Sequence, residues 1–232
     1  MEKKTSPSCS TCSVKERICL SETGKGPPAC PTVTMEEALG SALKQYEEPE
    51  TARFARAASI QEAECYLDRH ARPFKVIPGK TRVEEITEFA RRMGYQKLGL
   101  AFCGGVKEEA LLLTDILKHN GFDVVSVVCK VGRVAKERIG LTPEEKILKD
   151  QFEVMCNPIA QAEILNQTHT DFNIMMGLCV GHDALFLKHV TAYTTVFAVK
   201  DRVLGHNPMA ALYLSKSYYR RLCQERSETE QG

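Results

Sequence analysis

Cysteine is the residue type through which this sequence is best equipped to do chemistry. The chain has 232 residues and ten cysteines. Eight of them form two groups, one within the first thirty residues and one at the ends of apolar runs or directly before a helix start: Cys9, Cys12, Cys19 and Cys30, then Cys103, Cys129, Cys156 and Cys179. The sequence opens without the apolar stretch of a signal peptide, so we expect a cytoplasmic protein. In that reducing compartment thiols usually serve metal binding or redox chemistry rather than disulfides.

The first group predicts a Cys-rich metal-binding module over residues 1–34. Its spacing begins with a Cys-x2-Cys pair, Cys9 and Cys12, and adds two more thiols at Cys19 and Cys30. Four thiolates suit Zn²⁺ or an iron–sulfur cluster, although the spacing matches neither a regular zinc ribbon nor the compact ferredoxin run. The segment has too few large apolar side chains to order itself, and a bound metal would supply the missing stabilisation. The alternative is a metal-free leader whose thiols respond to oxidation.

From residue 80 onward, apolar runs alternate with helical patterns. The apolar runs predict four strands, separated by helices, over residues 97–103, 123–129, 172–179 and 194–200. This order is typical of right-handed crossovers, so we predict a three-layer, Rossmann-like α/β domain over residues 80–225, with a parallel sheet covered by helices on both faces. A helical linker over residues 35–79, opened by a Thr34–Glu37 capping box, would precede this domain, and a flexible tail over residues 226–232 would follow it.

The predicted topology would bring the second cysteine group together. The carboxyl ends of parallel strands meet at one edge of a sheet, where ligands bind in open α/β folds. Cys103, Cys129 and Cys179 end predicted strands, and Cys156 precedes a predicted helix that begins at the same edge. Two glycines that allow close approach of the backbone and two asparagines that start predicted helices complete the expected cofactor site: Gly104, Gly105, Asn157 and Asn207.

Four ionisable side chains near the same edge are candidates for catalysis: His182, Asp183, Lys200 and His206. Each is of a type that exchanges protons with a substrate or serves as a ligand. Cys179 with His182 also resembles a pair of nucleophile and base, which the sequence does not distinguish from a pair of metal ligands. Because free cysteine is often a small buried hydrophobe, Cys65 and Cys223 are interpreted as packing or surface residues.

The composition argues against several classes of function. A net charge of +1 and the absence of Trp give no basis for a nucleic-acid partner. No window approaches the roughly 18 consecutive apolar residues that a membrane span needs, so we expect no membrane partner. Gly104 and Gly105 follow a predicted strand, but neither the G-x-G-x-x-G fingerprint nor the P-loop motif is present, which disfavours a dinucleotide or ATP.

Five segments make the sequence resemble a known family: residues 100–105, 129–132, 155–162, 177–183 and 199–208. They are similar to the DUF1847 family, whose members are described as uncharacterised metal-binding proteins of archaea and anaerobic bacteria. The resemblance implies metal binding through the cysteines and names no reaction. The candidate cysteines and histidines at the strand ends all lie inside the resembling segments: Cys103, Cys129, Cys156, Cys179, His182 and His206.

The prediction for function is an iron–sulfur protein with a [4Fe–4S] cluster at the strand ends, held by some of the second cysteine group. An iron left open would act as a Lewis acid on a small sulfur-containing substrate, a design loosely similar to that of desulfurating enzymes. Two alternatives stay open: a non-catalytic zinc or iron–sulfur module for electron transfer, and a metal-free thiol redox or sulfur-carrier protein. The expected partners are a small molecule or a redox protein, and a homo-oligomer is left open.

Overall fold

The computed structural model describes residues 6–224, and this part of the chain contains one parallel sheet. Its strands are β1 (Lys97–Phe102), β2 (Asp123–Val128), β3 (Phe172–Leu178) and β4 (Thr194–Val199). They lie in the order β2-β1-β3-β4, and every neighbouring pair is parallel. The predicted α/β fold with a parallel sheet is therefore confirmed, and each strand ends one residue earlier than the sequence predicted.

The central strands are the most buried part of the sheet. All seven residues of β3 are buried, and so are the four residues from Leu98 to Ala101 in β1. In the edge strands, only Val127 of β2 is buried and no residue of β4 is. Continuous apolar runs predicted the parallel sheet. Their residues are buried mainly in β1 and β3, the two strands that have a neighbouring strand on each side.

Helices alternate with the strands in the second half of the chain and form their own group in the first half. They are α1 (Pro31–Thr34), α2 (Glu36–Gln45), α3 (Pro49–Glu64), α4 (Arg82–Met93), α5 (Lys107–His119), α6 (Pro158–Gln167), α7 (His182–His189) and α8 (Met209–Tyr213). A core cluster joins Ala101 and Met175 of the sheet to Leu165 of α6 and Phe186 of α7. Phe172, which points to the opposite face of β3 from Met175, meets Phe89 of α4 with ring centroids 5.5 Å apart.

Local signals in the sequence fix the ends of two helices. The Thr81 hydroxyl accepts the Glu84 N–H while the Glu84 carboxylate accepts the Thr81 N–H, so α4 begins with a capping box. Gly94 ends α4 with a φ of 74°, a left-handed conformation that glycine adopts without strain. At α6 the Asn157 side chain accepts the Ala160 N–H, as its sequence position predicted.

The chain divides into two units between Gly79 and Lys80. We call the first the N-terminal unit and the second the sheet unit, and each is described by itself. Among residues 6–79, Ala57 and Gln61 are the buried residues, whereas the sheet unit has an extensive core. No helix within residues 6–224 is both long enough and apolar enough to cross a bilayer. The predicted boundary between residues 34 and 35 stays a prediction, and the predicted tail over residues 226–232 lies outside the described residues.

Two predicted helix boundaries are wrong. Thr34 does not cap the next helix, because it is the last residue of α1 and its hydroxyl donates to the Cys30 carbonyl at 3.0 Å. The helix predicted to start at Asn207 is the five-residue α8, which is capped by Pro208, so Asn207 is not an N-cap. Residues 209–224 include no buried residue, and a helix without an apolar face to bury gains little stability.

The close approach of β1 to β3 at Gly99 generates a stability prediction. A Cβ at Gly99 would collide with Oδ1 of Asn173, a fully buried side chain that accepts a hydrogen bond from Thr170 at 2.8 Å. Gly99→Ala is therefore expected to lower the free energy of unfolding of the sheet unit by about 2 kcal/mol, the usual cost of overpacking a core. Urea denaturation followed by circular dichroism measures it.

The matched control is Gly104→Ala, because a Cβ there meets only Val128 at an ordinary 3.6 Å. Equal stabilities of the two variants would contradict the packing described for Gly99.

Candidate functional site

Two backbone hydrogen bonds bring three cysteines of the second group together at the carboxyl edge of the sheet. The Cys129 N–H donates to the Phe102 carbonyl at 2.9 Å, and the Asn157 N–H donates to the Cys129 carbonyl at 2.7 Å. Cys103 follows Phe102 and Cys156 precedes Asn157, so the two flank Cys129. We call Cys103, Cys129 and Cys156 the thiol triad. Cys129 is buried, while its two neighbours are half-buried.

The connection between β2 and α6 carries Cys156 back to Cys129. It folds on itself through a bridge between Ala135 and Val154 and through the Met155 N–H, which donates to the Val134 carbonyl at 2.8 Å. An ion pair of 2.7 Å joins Lys136 to Glu153 with both side chains largely shielded from solvent. The position of Cys156 thus depends on a long connection with its own internal bonds.

Gln161 links the carboxyl ends of β1 and β2, next to the triad, through hydrogen bonds. This fully buried residue of α6 donates from Nε2 to the Val127 carbonyl at 2.7 Å and to the Phe102 carbonyl at 3.2 Å. Both acceptors lie at the ends of the strands that lead into Cys103 and Cys129. Removing such a donor would leave buried carbonyls short of a partner, so Gln161 is a positioning residue for the triad.

The surroundings of Cys103 favour its thiolate. Hydrogen bonding with Cys129, the Gly105 amide and the nearby Lys200 ammonium together lower the pKa of Cys103 to about 5, although partial burial opposes them. The Lys200 Nζ lies 3.5 Å from the place a Cβ would take on Gly105, so the lysine ammonium is close to the backbone that follows Cys103. Lys200 as a candidate for catalysis and Gly105 as a cofactor-binding residue stay predictions.

Cys156 has a similar environment built from other residues. Hydrogen bonding with Cys129 is the largest cause that lowers the pKa of Cys156 to about 5, and the positive charges of Lys130 and His182 add to it. His182 is the first residue of α7, and its Nδ1 is buried with no hydrogen-bond partner among the described residues. The two flanking thiols therefore have separate cationic neighbours, Lys200 on one side and Lys130 with His182 on the other.

Cys129 is the proton donor of the triad. Its hydrogen bonds to both neighbours and its burial raise the pKa of Cys129 well above the ordinary value. The Gly104 N–H lies 3.4 Å from its sulfur. One thiol carries one proton, so Cys129 donates to Cys103 or to Cys156 at a given moment and the three groups titrate as a coupled set. The site thus holds a neutral thiol between two thiols that favour the charged form.

The remaining predicted residues lie outside the triad's contacts. Cys179 follows β3 and its sulfur accepts a hydrogen bond from Arg202 at 3.1 Å. The Asp183 carboxylate accepts the neighbouring Ala184 N–H at 2.7 Å. His206 Nδ1 accepts the Asp201 N–H at 3.1 Å and so helps to close a turn. Asn207 lies in the turn before α8, a helix too short to provide an anion site.

Three residues that the sequence analysis did not single out interact with the candidate cysteines or the strands before them: Lys130, Gln161 and Arg202. Lys130 follows Cys129 directly, so its adjacency was the one signal available in the sequence. Gln161 lies 34 residues from its Val127 partner and Arg202 lies 23 residues from Cys179. Contacts over such separations are set by the folded sheet rather than by local pattern.

The four cysteines of the first group meet in a different setting. Cys9, Cys12, Cys19 and Cys30 all line one cavity in the N-terminal unit. Across residues 6–224, no three or more His, Cys, Asp or Glu side chains are gathered so that they could hold a single metal ion. Metal binding at either cysteine group stays a prediction.

These features define an α/β protein with a cysteine cluster at the carboxyl edge of a parallel sheet. The family model for "Protein of unknown function (DUF1847)" matches residues 30–197. The "Uncharacterized protein MJ0455" of Methanocaldococcus jannaschii is 44% identical over 182 residues, which cover 78% of this chain and 86% of that relative. The chain therefore belongs to the DUF1847 family. The matched range includes the whole thiol triad and begins at Cys30, after the other three N-terminal cysteines.

The charges around the triad generate a prediction for thiol reactivity at pH 6. A thiol of pKa about 5 is mostly thiolate there, and after allowance for its lower nucleophilicity it should react roughly tenfold faster than an ordinary cysteine. Iodoacetamide labelling of each cysteine, followed by mass spectrometry, measures these rates. Cys129→Ala should slow Cys103 and Cys156 together because both lose their hydrogen-bond donor.

Two lysine variants act as matched controls for each other. Lys200→Met should slow the labelling of Cys103 alone, and Lys130→Met should slow that of Cys156 alone. If both variants slowed the two thiols equally, or if neither thiol outpaced free N-acetylcysteine at pH 6, the assigned electrostatics would be wrong.

Proposed function

We propose that the chain is a thiol–disulfide exchange protein that reduces disulfide bonds of small molecules at the thiol triad. The observation that carries the proposal is the pair of backbone hydrogen bonds, Cys129 N–H to the Phe102 carbonyl and Asn157 N–H to the Cys129 carbonyl, that places Cys103 and Cys156 beside Cys129. Neighbouring thiols can be joined into a disulfide by thiol–disulfide exchange. The proposal corresponds to the metal-free thiol redox alternative that the sequence left open.

The sheet geometry supports a disulfide between Cys103 and Cys129. The parallel register of β1 and β2 pairs Phe102 with Val128, one residue before each cysteine. Neighbouring strands lie about 4.8 Å apart, and disulfides form when the Cα atoms are about 4.4–6.8 Å apart. The continued hydrogen bond from the Cys129 N–H to the Phe102 carbonyl keeps the two chains side by side at this point.

The environments suggest a role for each thiol. The half-buried Cys103 thiolate attacks one sulfur of the substrate disulfide, a mixed disulfide forms and the first thiolate leaves. Cys129 then passes its proton to the Cys156 thiolate and attacks the Cys103 sulfur, which expels the second thiolate. The protein becomes oxidised to a Cys103–Cys129 disulfide, the substrate gains two electrons, and both leaving thiolates take protons from Lys200, Cys156 or water. A reduced dithiol partner would regenerate the triad.

The geometry favours this chemistry over a cluster at the same place. A [4Fe–4S] cubane binds each thiolate on a separate iron, whereas Cys103 and Cys156 each hydrogen-bond with Cys129. Cys129 is also buried with its backbone fixed on both sides. The [4Fe–4S] cluster predicted at the strand ends stays a prediction, and so does the open iron predicted within it.

We also infer the finer architecture that the sequence predicted, a three-layer Rossmann-like arrangement. Successive residues of a strand point to opposite faces of a sheet. Met175 packs with α6 and α7 while Phe172 packs with α4, which supports helical layers on the two sides.

Exchange of thiols fits the predicted cytoplasmic location, because a reducing compartment would keep the triad reduced. A homo-oligomer stays a prediction.

The exchange is tested with the reduced protein and bis(2-hydroxyethyl) disulfide under anaerobic conditions. We expect wild type to release two mercaptoethanol molecules per triad and to form a Cys103–Cys129 disulfide, detected in peptides by mass spectrometry. Cys129→Ser should stop at a mixed disulfide on Cys103 because the second thiol is gone. Cys156→Ser should form the mixed disulfide normally and resolve it more slowly.

Cys223→Ser is the control, since this exposed cysteine lies outside the triad. The proposal would be contradicted if wild type released only one mercaptoethanol molecule per triad. It would also be contradicted if the disulfide that forms did not join Cys103 to Cys129.

A further inference from the structure

The N-terminal cysteines surround a cavity of about 350 Å³. Besides the four thiols, its walls include apolar side chains, among them Val14, Ile18 and Pro27. Among residues 6–224, no His, Asp or Glu lines the cavity, so the metal donors that these residues offer there are soft thiolates. Such a donor set in an apolar wall is typical of zinc and iron–sulfur centres.

The backbone is folded tightly around this cavity. The Ile18 N–H donates to the Lys25 carbonyl at 3.0 Å, and the Lys25 N–H donates to the Glu16 carbonyl at 2.9 Å. A Cβ on Gly26 would lie 2.7 Å from the Cys30 Cβ and 2.9 Å from its sulfur. Glycine is therefore required for the chain to pass Cys30 so closely, and the wall has a defined shape.

This ordered loop lacks the core that would explain its order. No residue from 6 to 56 is buried. A segment that orders its chain without burying side chains needs another source of stability, and a bound metal centre supplies one. The cavity lined by all four thiols is the place where such a centre would act.

The size of the cavity and the charge of its wall select the kind of centre. A single zinc ion holds four sulfurs about 2.3 Å from itself, which needs far less space than this cavity of about 350 Å³ offers. A cubane places one thiolate on each of its four irons, which suits cysteines that line a cavity from several sides. With four thiolates an oxidised [4Fe–4S] cluster carries a net negative charge, and Arg17 and Lys25 both line the cavity.

We infer that the N-terminal unit holds a [4Fe–4S] cluster in this cavity, with Cys9, Cys12, Cys19 and Cys30 as its ligands. Binding releases the four thiol protons as the thiolates take up the irons. The centre exchanges single electrons, in contrast to the two-electron exchange proposed for the thiol triad, and the two proposals stand on separate residues.

The full chain, reconstituted anaerobically with ferrous iron and sulfide, tests the inference. We expect about four irons and four sulfides per chain, a broad absorbance near ~400 nm, and an electron paramagnetic resonance signal after reduction with dithionite. Cys12→Ser and Cys19→Ser should each lose most of the iron and the band. Cys223→Ser, the matched control, should keep both.

Gly26→Ala keeps all four thiols and alters only the space beside Cys30, so we expect reduced iron content from a cavity of the wrong shape. Far-ultraviolet circular dichroism reports whether each variant has folded. One zinc per chain without the visible band would overturn the inference, and so would a band that survives Cys12→Ser and Cys19→Ser. A full cluster in a protein without exchange activity would leave this inference standing and overturn the proposed function instead.

Discussion

The backbone of Cys129 is the point on which the candidate site depends. Its N–H holds the end of β1 through Phe102, and its carbonyl holds the start of α6 through Asn157. These two bonds determine which cysteines become neighbours, because Cys103 and Cys156 are attached directly to the bonded residues. The buried side-chain amide of Gln161 adds hydrogen bonds to the Phe102 and Val127 carbonyls at the same place. A buried polar network of this kind fixes one arrangement, since each partner that moved would leave a buried group unpaired.

The two units obtain their order from different sources. The sheet unit buries a continuous set of apolar side chains around β1 and β3, and this hydrophobic packing stabilises it. The N-terminal unit buries only Ala57 and Gln61 among its described residues, and its first part has tight loops and glycine contacts instead. This difference separates the cysteines by role. In the sheet unit the fold positions the thiols, while in the N-terminal unit we propose that the thiols, through a cluster, hold the fold.

Local patterns predicted most of the secondary structure where the physics is local. Thr81, Gly94 and Asn157 ended or began helices as their side chains and conformational freedom dictate. The failures came where packing decides. Asn207 introduces a sequence that resembles a helix start, yet residues 209–224 include no buried residue and only Met209–Tyr213 become α-helical. Thr34 looked like a cap, but Pro31 begins a helix one turn earlier and leaves Thr34 at its end.

The sequence by itself determined the family, the parallel α/β fold and the two groups of cysteines. Strand order and alternation sufficed for this, because the carboxyl ends of parallel strands must share an edge. Only the tertiary structure decided that Cys103, Cys129 and Cys156 meet while Cys179 pairs with Arg202. It also decided that Lys200 serves one thiol and Lys130 with His182 the other. Which thiols become neighbours, and which cation lies near each, depends on contacts between residues far apart in the chain. The spacing of residues along the sequence does not reveal the distances between them in the folded protein.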